Sequence, residues 1–494
     1  MNIGLLGHVD SGKTSLARAL STLGSTAAFD KHAVTGSLRA NTIDLGFSTL
    51  TIDDVPIALI DCPGHASLIK AVLAIAPVFD MAIVVVSADK GIEPQTAEHL
   101  LLVSLLCPEH VIVVLNKVDL VNEEELCKVR KNVIKGLKQL NIASNTPVLS
   151  LSLTQSQSGG VNLVTDTIRK NMYEPKRILD GKFVMSVDHC FPIKGKGEVL
   201  TGTVVSGRCR VGMEFEIPML KENRKIKEMQ RWKKGINESK SGDRVALLVT
   251  SIPDKRLNRF VICEKGALAK VLHCLATVNV IKFFKGSINA HSKLHFSFGF
   301  DTVMATCQFL KKVKIGGDIA DAANDEYEVA DELSDCVQYV LLSLDQAVYG
   351  HENTFYITSK LDSQAKGCRF IFYGKIVSIL ESNESIKCFH RKHKVGKVER
   401  LENSNSIICS SLFNKGSDVR IFEGMQVRLS TGEDGVIEGS FGKSGKVRVT
   451  LLNGLKPSTL NIFEQCQQIS VNLYMKKFLH SGKLISYLPE ESQA

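Results

Sequence analysis

The sequence has no C-x-x-C pair, a single tryptophan, and no apolar run that reaches the roughly 20 residues of a membrane span. Each absence excludes something. Thirteen cysteines scattered without metal-ligand spacing argue against zinc and against a disulfide framework, and for reduced thiols in a cytosolic protein. Without a spanning segment no membrane partner is expected. The N-terminus lacks a basic region followed by an apolar block and a small-residue cleavage site, so no signal peptide is expected and a cytoplasmic location is. Neither charge sign dominates: 61 Lys and Arg face 52 Asp and Glu, for a net charge of +9. That balance permits a polyanionic partner without demanding one. At 494 residues, 44% of them apolar and 23% charged, the chain is too long for one core, and about three or four domains are expected.

What is present begins at Gly7-His8-Val9-Asp10-Ser11-Gly12-Lys13-Thr14, which reads G-x-x-x-x-G-K-T. The apolar run before it suits one buried strand. After it, Leu16, Ala19, Leu20 and Leu23 fall on one face at helical spacing. A strand, this loop and a helix are the context that phosphate binding needs. Glycines let backbone N–H groups turn inward, and the helix N-terminus adds partial positive charge. Asp10, Ser11, Gly12, Lys13, Thr14 and Ser15 are therefore expected to cradle polyphosphate. Lys13 reaches the outer phosphates and Thr14 offers its hydroxyl to Mg²⁺. Taken alone, a Gly-rich turn before a helix remains an open reading.

Strands are expected at 3–6, 57–60, 82–86, 111–115 and 147–149, with helical patterns at 96–106 and 123–140. Continuous apolar strands separated by helices mean a parallel sheet covered on both faces. Ligands of such sheets sit at the carboxyl ends of the strands, and the remaining motifs fall there. Asp61-Cys62-Pro63-Gly64-His65 follows one strand. Its Asp61 can hold Mg²⁺ through water, Gly64 can approach the terminal phosphate by its N–H, and His65 then lies near an attacking water. By itself Asp-x-Pro-Gly is equally a plain turn. Asn116-Lys117-Val118-Asp119 follows another strand. Asn116 can pair with the acceptor edge of guanine and Asp119 can accept from its two N–H groups, a pairing that rejects other bases strongly. The order and spacing of the three motifs together point to a GTP-binding domain.

These motifs resemble the translational GTPases, and D-C-P-G-H with its His is typical of the elongation factors among them. The resemblance implies that His65 orients the water that attacks the γ-phosphate, and that Thr42, in Leu38-Arg39-Ala40-Asn41-Thr42-Ile43-Asp44, coordinates Mg²⁺. Ala40 and Asn41 depart from the family's R-G-I-T. The residue at Asn41 is usually an apolar member of a gate screening the catalytic His, so a polar residue there questions the gate. Ser150, in Ser150-Leu151-Ser152, is the nearest candidate for the loop that supports the base. Residues 155–160 (QSQSGG) read as a flexible surface loop.

From Arg177 to Ile262 short alternating strands with Gly turns suggest a β-barrel. Within it the stretch from Phe191 to Gly202 fits F-x-I-x-G-x-G-x-V-x-T-G and resembles the tRNA-carrying barrel of elongation factor Tu. Asp188-His189 before it, together with Gly242-Asp243-Arg244, resembles the eukaryotic and archaeal selenocysteine-specific elongation factors. In that family Asp188, His189 and Arg244 would line the aminoacyl pocket. Without the resemblance, Arg244 is equally a solvated strand residue and His189 a structural one. Ala27-Ala28-Phe29-Asp30-Lys31 and Thr42-Ile43-Asp44-Leu45-Gly46-Phe47 also match.

Residues 263–380 read as alternating β, and the resemblance implies a second barrel there. The acidic stretch 318–335 reads as an exposed loop or disordered insertion. Residues 381–494 have no counterpart in elongation factor Tu. Arg391, Lys392, Lys394 and Lys397, with Lys443 and Lys446, could share one face of a small barrel and contact RNA phosphates, while Phe389 stacks. A solvated charged surface is the alternative. The resemblance places here a domain that couples the factor to the mRNA element recoding UGA, directly or through an adaptor protein.

The expected architecture is an α/β phosphate-loop GTPase domain at 1–175 followed by three mainly β barrel domains at 176–262, 263–380 and 381–494. The expected function is GTP- and Mg²⁺-dependent delivery of selenocysteinyl-tRNA to the ribosome, with GDP as product and the protein a monomer. Two alternatives stay open: a carrier of ordinary aminoacyl- or initiator tRNA, and a GTP-dependent binding protein that scarcely hydrolyses.

Overall fold

The structure, a computed structural model, describes every residue except 22–44, 154–156, 194–195, 251, 253–258, 300, 314–324, 362–366, 443–444, 466 and 490–494. The chain divides into two compact units, Met1–Cys307 with Leu341–Glu381, and Gln308–Val340 with Ser382–Ala494.

The first unit opens with β1 (Asn2–Leu6), α1 (Lys13–Leu20), β2 (Gly46–Ile52), β3 (Val55–Asp61), α2 (Ile69–Ile75), β4 (Met81–Ser87), α3 (Pro94–Leu106), β5 (Val111–Asn116), α4 (Glu123–Gln139), β6 (Val148–Ser150) and α5 (Gln157–Asn171). The strands form one sheet in the order β2-β3-β1-β4-β5-β6. All its pairs are parallel except β2 with β3. β1, β4 and β5 are buried along their whole length, as their unbroken apolar runs require. One face carries a core built on Leu6, Val84 and Val113, the other a core built on Ile3, Ile83 and Val114. α4 starts at a reciprocal cap, in which the Asn122 side chain accepts from the Glu125 N–H and the Glu125 carboxylate accepts from the Asn122 N–H.

Residues 155–160 were expected as a loop, but Gln157–Gly160 form the first turn of α5. Val164 and Ile168 of this helix are fully buried, and Gly160 packs against Leu151, which a side chain would approach to 3.2 Å. The Gly/Ser content that read as looseness permits close docking of the helix. Residues 155 and 156 lie outside the described residues.

A six-stranded β-barrel follows. Glu214–Ile217, Phe260–Cys263, β7 (Val184–Ile193), β8 (Gly197–Ser206), Arg244–Val249 and Glu222–Arg231 pair in that order, and pairing of the first with the last closes it. Met185, Leu200, Leu247 and Ile262 fill its interior. A second closed set of strands includes Ala269–Thr277, Lys293–Phe298, Phe355–Ser359 and Phe370–Leu380. It is tied to the nucleotide domain by Arg369, whose Nε and second terminal nitrogen donate to the two Glu98 oxygens at 2.7 and 2.5 Å.

In the second unit Lys387–Asn403, Ser406–Ser410, Lys446–Leu451, Asp434–Phe441, Gln426–Leu429 and Ser470–Phe478 close into a further barrel. A helix, Pro457–Glu464, lies between two of these strands in the chain. The acidic stretch expected as a loop contributes a strand, Glu326–Ala330, paired parallel to Lys387–Asn403. Its Tyr327 is fully buried. Glu326 meets Lys476 at 2.5 Å and Glu328 meets Arg391 at 2.9 Å, so charges that suggested disorder are neutralised by basic partners. Residues 318–324 lie outside the described residues.

Candidate functional site

The carboxyl ends of β1, β3, β5 and β6 bring the sequence motifs to one edge of the sheet. The loop from Gly7 leads into α1, whose N-cap Gly12 has φ 99°. A side chain there would collide with Asn116 Nδ2, so glycine is required both by conformation and by space. Lys13 is buried and its ammonium donates to the His8 carbonyl at 2.5 Å. Thr14 Oγ1 donates to Asp61 Oδ2 at 2.6 Å. Gly64 abuts the loop: a Cβ would lie 2.5 Å from Lys13 Nζ and 2.8 Å from Val9 N. Burial pushes the Lys13 ammonium below and the Asp61 carboxyl above their ordinary ranges, as expected where a polyanion and a cation are to complete the charge balance.

At the far side of the mouth Asn116 Nδ2 donates to the Ser11 carbonyl at 2.9 Å, Lys117 takes φ 63°, and Asp119 stands exposed in the short helix Val118–Leu120. Ser11 Oγ, Asp61 Oδ1, Asn116 Oδ1 and Ser150 Oγ are all buried without a hydrogen-bond partner. Native structures rarely leave such groups unpaired, and here they converge on the strand ends where the sequence placed guanine, phosphates and Mg²⁺. The oxygens of Thr14 and Asp61 suit a hard divalent cation. Thr42, the third expected ligand, lies outside the described residues, as do Ala40 and Asn41. His65 is exposed and caps the short helix Ala66–Leu68, its Nδ1 2.7 Å from Ser67 Oγ. Sequence reasoning passed over His99. It is fully buried in α3 and its Nδ1 accepts the Gly7 N–H at 3.0 Å; the signal was a histidine inside an otherwise apolar helix face.

The first barrel holds a second cluster. Asp188, near the middle of β7, accepts from the two terminal nitrogens of Arg244 at 2.5 and 3.1 Å. Thr201 Oγ1 donates to the same carboxylate at 3.0 Å, and His189 Nδ1 lies 3.1 Å from it. Arg244 comes from the strand that pairs with β8, opposite Thr203. Its side chain and that of Asp188 are 4% and 5% exposed, whereas His189 is 39% exposed. Burial alone raises the Asp188 pKa, but Arg244 and His189 outweigh it and hold the carboxyl below its usual range. The geometry therefore excludes a solvated Arg244.

Residues 1–192 match the family described as the elongation factor Tu GTP binding domain. Residues 275–374 match the third domain of eukaryotic selenocysteine-specific elongation factors, and 384–481 match the C-terminal RIFT domain of eEFSec. A mouse selenocysteine-specific elongation factor is 32% identical over 99% of this chain and 93% of its own length. The chain belongs to the selenocysteine-specific elongation factors. A relative of the same description from Methanocaldococcus jannaschii is 30% identical over 90% of the chain and 93% of its own. Among solved structures, translation elongation factor SelB from Methanococcus maripaludis with the GTP analogue GPPNHP superposes with a TM-score of 0.75 at 26% identity, covering 96% of this chain and 98% of that one. Membership makes the first domain that of a translational GTPase, and GTP and GDP its nucleotides.

In this selenocysteine-specific elongation factor the basic residues of the last barrel do not all face solvent freely. Phe389, expected to stack on RNA, is fully buried, covered by the Phe478 ring at 5.7 Å and by the Lys476 ammonium 4.7 Å from its ring centroid. Lys394 turns inward, its ammonium 4.8 Å from the Phe413 ring centroid. Arg391 pairs with Glu328, and Lys446 with Glu399. Lys392 and Lys397 are exposed, and Lys443 lies outside the described residues. One ring pair at this surface is His393 on Tyr474, stacked at 4.3 Å and 1°.

Proposed function

We propose that the protein carries selenocysteinyl-tRNA to the ribosome in a GTP-dependent manner for decoding of UGA, and that Asp188, His189 and Arg244 select the amino acid. The observation that carries this reading is the buried, bidentate Arg244–Asp188 pair with His189 beside it. A selenol is ionised at neutral pH, whereas the serine hydroxyl and most free cysteine are not. Arg244 and His189 present the N–H groups that a selenolate meets, and Asp188 holds both in place. A neutral hydroxyl gains little from the same groups.

At the nucleotide end Asp10, Ser11, Gly12, Lys13, Thr14 and Ser15 hold the phosphates, Gly64 faces the terminal one, and Asn116, Lys117, Asp119 and Ser150 hold guanine. Thr14, Asp61 and Thr42 would hold Mg²⁺, which would supply charge neutralisation to the phosphates. Contact with the ribosome turns His65 from its Ser67 partner toward the attacking water, and GDP and phosphate result. The last barrel couples the complex to the mRNA element, with Lys392 and Lys397 on phosphates. The domains divide near residues 175, 262 and 380, and the protein works in the cytoplasm, where translation supplies its partners.

Affinity for one tRNA species charged with selenocysteine or serine tests the reading. A preference for selenocysteine that collapses in Arg244→Ala is expected, and equal affinity in the unaltered protein would defeat it. Single-turnover hydrolysis with ribosomes should fall steeply in His65→Ala while GTP binding persists.

A further inference from the structure

Between α5 and β7 the chain runs through residues 172–183 without helix or strand. A connection of that kind leaves two domains free to move unless contacts hold them. Here the contacts gather on one buried carboxylate, Asp80, just before β4. Its Oδ2 accepts the Asn2 N–H at 2.7 Å and also pairs with the Arg177 guanidinium. Its carbonyl accepts the Tyr173 hydroxyl at 2.7 Å, and the Tyr173 ring stacks on His110 at 3.7 Å and 12°. Two residues of the connection are thus fastened to the nucleotide domain at Asp80.

The barrel is fastened at the same place. Asn2 Nδ2 donates to the Gly242 carbonyl at 3.2 Å. Gly242 has φ 92°, and a Cβ there would collide with the Arg177 guanidinium. The Ile178 carbonyl accepts the Gly207 N–H at 2.8 Å. Arg177 therefore lies between a carboxylate of the nucleotide domain and a turn of the barrel. All of this sits at the N-terminal ends of β1 and β4, the opposite edge of the sheet from the phosphate loop. None of these side chains touches the Asp188–Arg244 pair.

Resting on the reading of the protein as a tRNA carrier, we propose that Asp80 and Arg177 are positioning residues for the tRNA: they lock the barrel to the nucleotide domain, so that the surface the tRNA spans is formed before it binds. The amino acid is held in the barrel, and the grip depends on GTP in the other domain, so the tRNA bridges both. A partner that bridges two domains loses affinity in proportion to the fraction of molecules in which they are misaligned. Breaking the lock weakens the tRNA as a whole and leaves the choice of amino acid and the hold on nucleotide as they were.

The test measures the affinity of the full chain, loaded with a non-hydrolysable GTP analogue, for selenocysteinyl- and seryl-tRNA of one tRNA species, and its affinity for the analogue itself. Arg177→Ala should weaken both tRNAs by the same factor, about tenfold if the aligned form drops to about a tenth of the population. Nucleotide affinity and the preference for selenocysteine should not change. Arg177→Lys keeps a cation for Asp80 and should recover most of the loss. Asp80→Asn should match Arg177→Ala, and if that protein no longer binds nucleotide the two Arg177 variants decide. Unchanged tRNA affinity in Arg177→Ala overturns the lock and leaves the carrier reading intact. A loss confined to selenocysteinyl-tRNA, or matched by an equal loss of nucleotide affinity, also overturns it, placing the effect in the pocket or in folding. Failure of the unaltered protein to bind either tRNA removes the carrier reading, and the lock with it.

Discussion

His99 Nδ1 accepts the backbone N–H of Gly7 at 3.0 Å, so a side chain of α3 fixes the first residue of the phosphate loop. The bond requires a neutral ring protonated on Nε2. Burial supplies that condition, pushing the His99 pKa down to about 3, with Lys13 adding to the effect. His99→Leu leaves a buried N–H unpaired, which costs about 1–3 kcal/mol. GDP and GTP affinity should both fall about tenfold or more, since 1.4 kcal/mol is a factor of ten. Titration with a fluorescent nucleotide checks this, and affinities unchanged within a factor of two would show that the loop holds its shape alone.

The same residue makes stability depend on pH. Its folded pKa lies below the unfolded value of about 6.5, so the neutral form is the one that folds. The stabilisation is complete above about pH 6.5 and declines by up to about 1.4 kcal/mol for each unit as pH falls toward the folded value. Urea unfolding of the full protein at pH 7, 6 and 5, compared with His99→Leu, should show a shallower decline in the variant.

Much of this nucleotide site was legible in the sequence because phosphate loops, magnesium carboxylates and base-pairing loops need fixed residue types at strand ends. Lys13, Thr14, Asp61, Gly64, Asn116 and Ser150 all arrive at one edge. Residues whose importance comes from a partner distant in sequence were not legible. His99 reaches back to Gly7, Glu98 reaches forward to Arg369, and Phe47 finds Arg244 in another domain. The acidic stretch failed for the same reason, since Glu326–Ala330 is a strand through its pairing with 309–312 and 387–389 and the burial of Tyr327, with Lys476 and Arg391 meeting its charges. Phe389 failed likewise, because Phe478 and Lys476, far along the chain, cover its ring.

The pair in the barrel makes a separate stability prediction. Asp188→Asn removes the carboxylate and leaves the Arg244 cation buried with an amide, a loss of about 3–5 kcal/mol for a broken buried ion pair. Asp188 has its pKa depressed in the fold, so its contribution is present above the ordinary carboxylate pKa and lost as pH falls through the lower, folded value. The variant should therefore be less stable at pH 7, by a difference that narrows at pH 3, below the ordinary carboxylate pKa of about 3.9. Chemical denaturation at both pH values checks this, and an equal difference at both would remove the charge as the cause.

In the last barrel, exposure separates two kinds of lysine. Lys392 and Lys397 are exposed, whereas Lys446 is engaged by Glu399. If the barrel contacts RNA phosphates, Lys392→Ala and Lys397→Ala should each lower the salt dependence of binding by about one ion. Lys446→Ala should change it much less. Binding to a labelled hairpin RNA across a salt series reads the slopes directly, and slopes unmoved by the first two changes would point to a protein adaptor instead.

Base choice gives the most specific test of the nucleotide reading. Asp119 is exposed beyond β5, where its carboxylate can accept from both N1–H and the 2-amino group of guanine. An asparagine there still accepts at N1–H but offers an N–H to the second position, where guanine also has a donor. Xanthine carries a carbonyl at that position and pairs with asparagine. Asp119→Asn should therefore lose GTP affinity by at least about a hundredfold, the range for a site left with unpaired polar groups, and should gain affinity for xanthosine triphosphate. The exchange depends on the base alone, so it separates recognition of guanine from a general weakening of the loop. Retention of GTP binding within threefold would place the base elsewhere and leave the orphaned oxygens of Asn116 and Ser150 without the partner assigned to them.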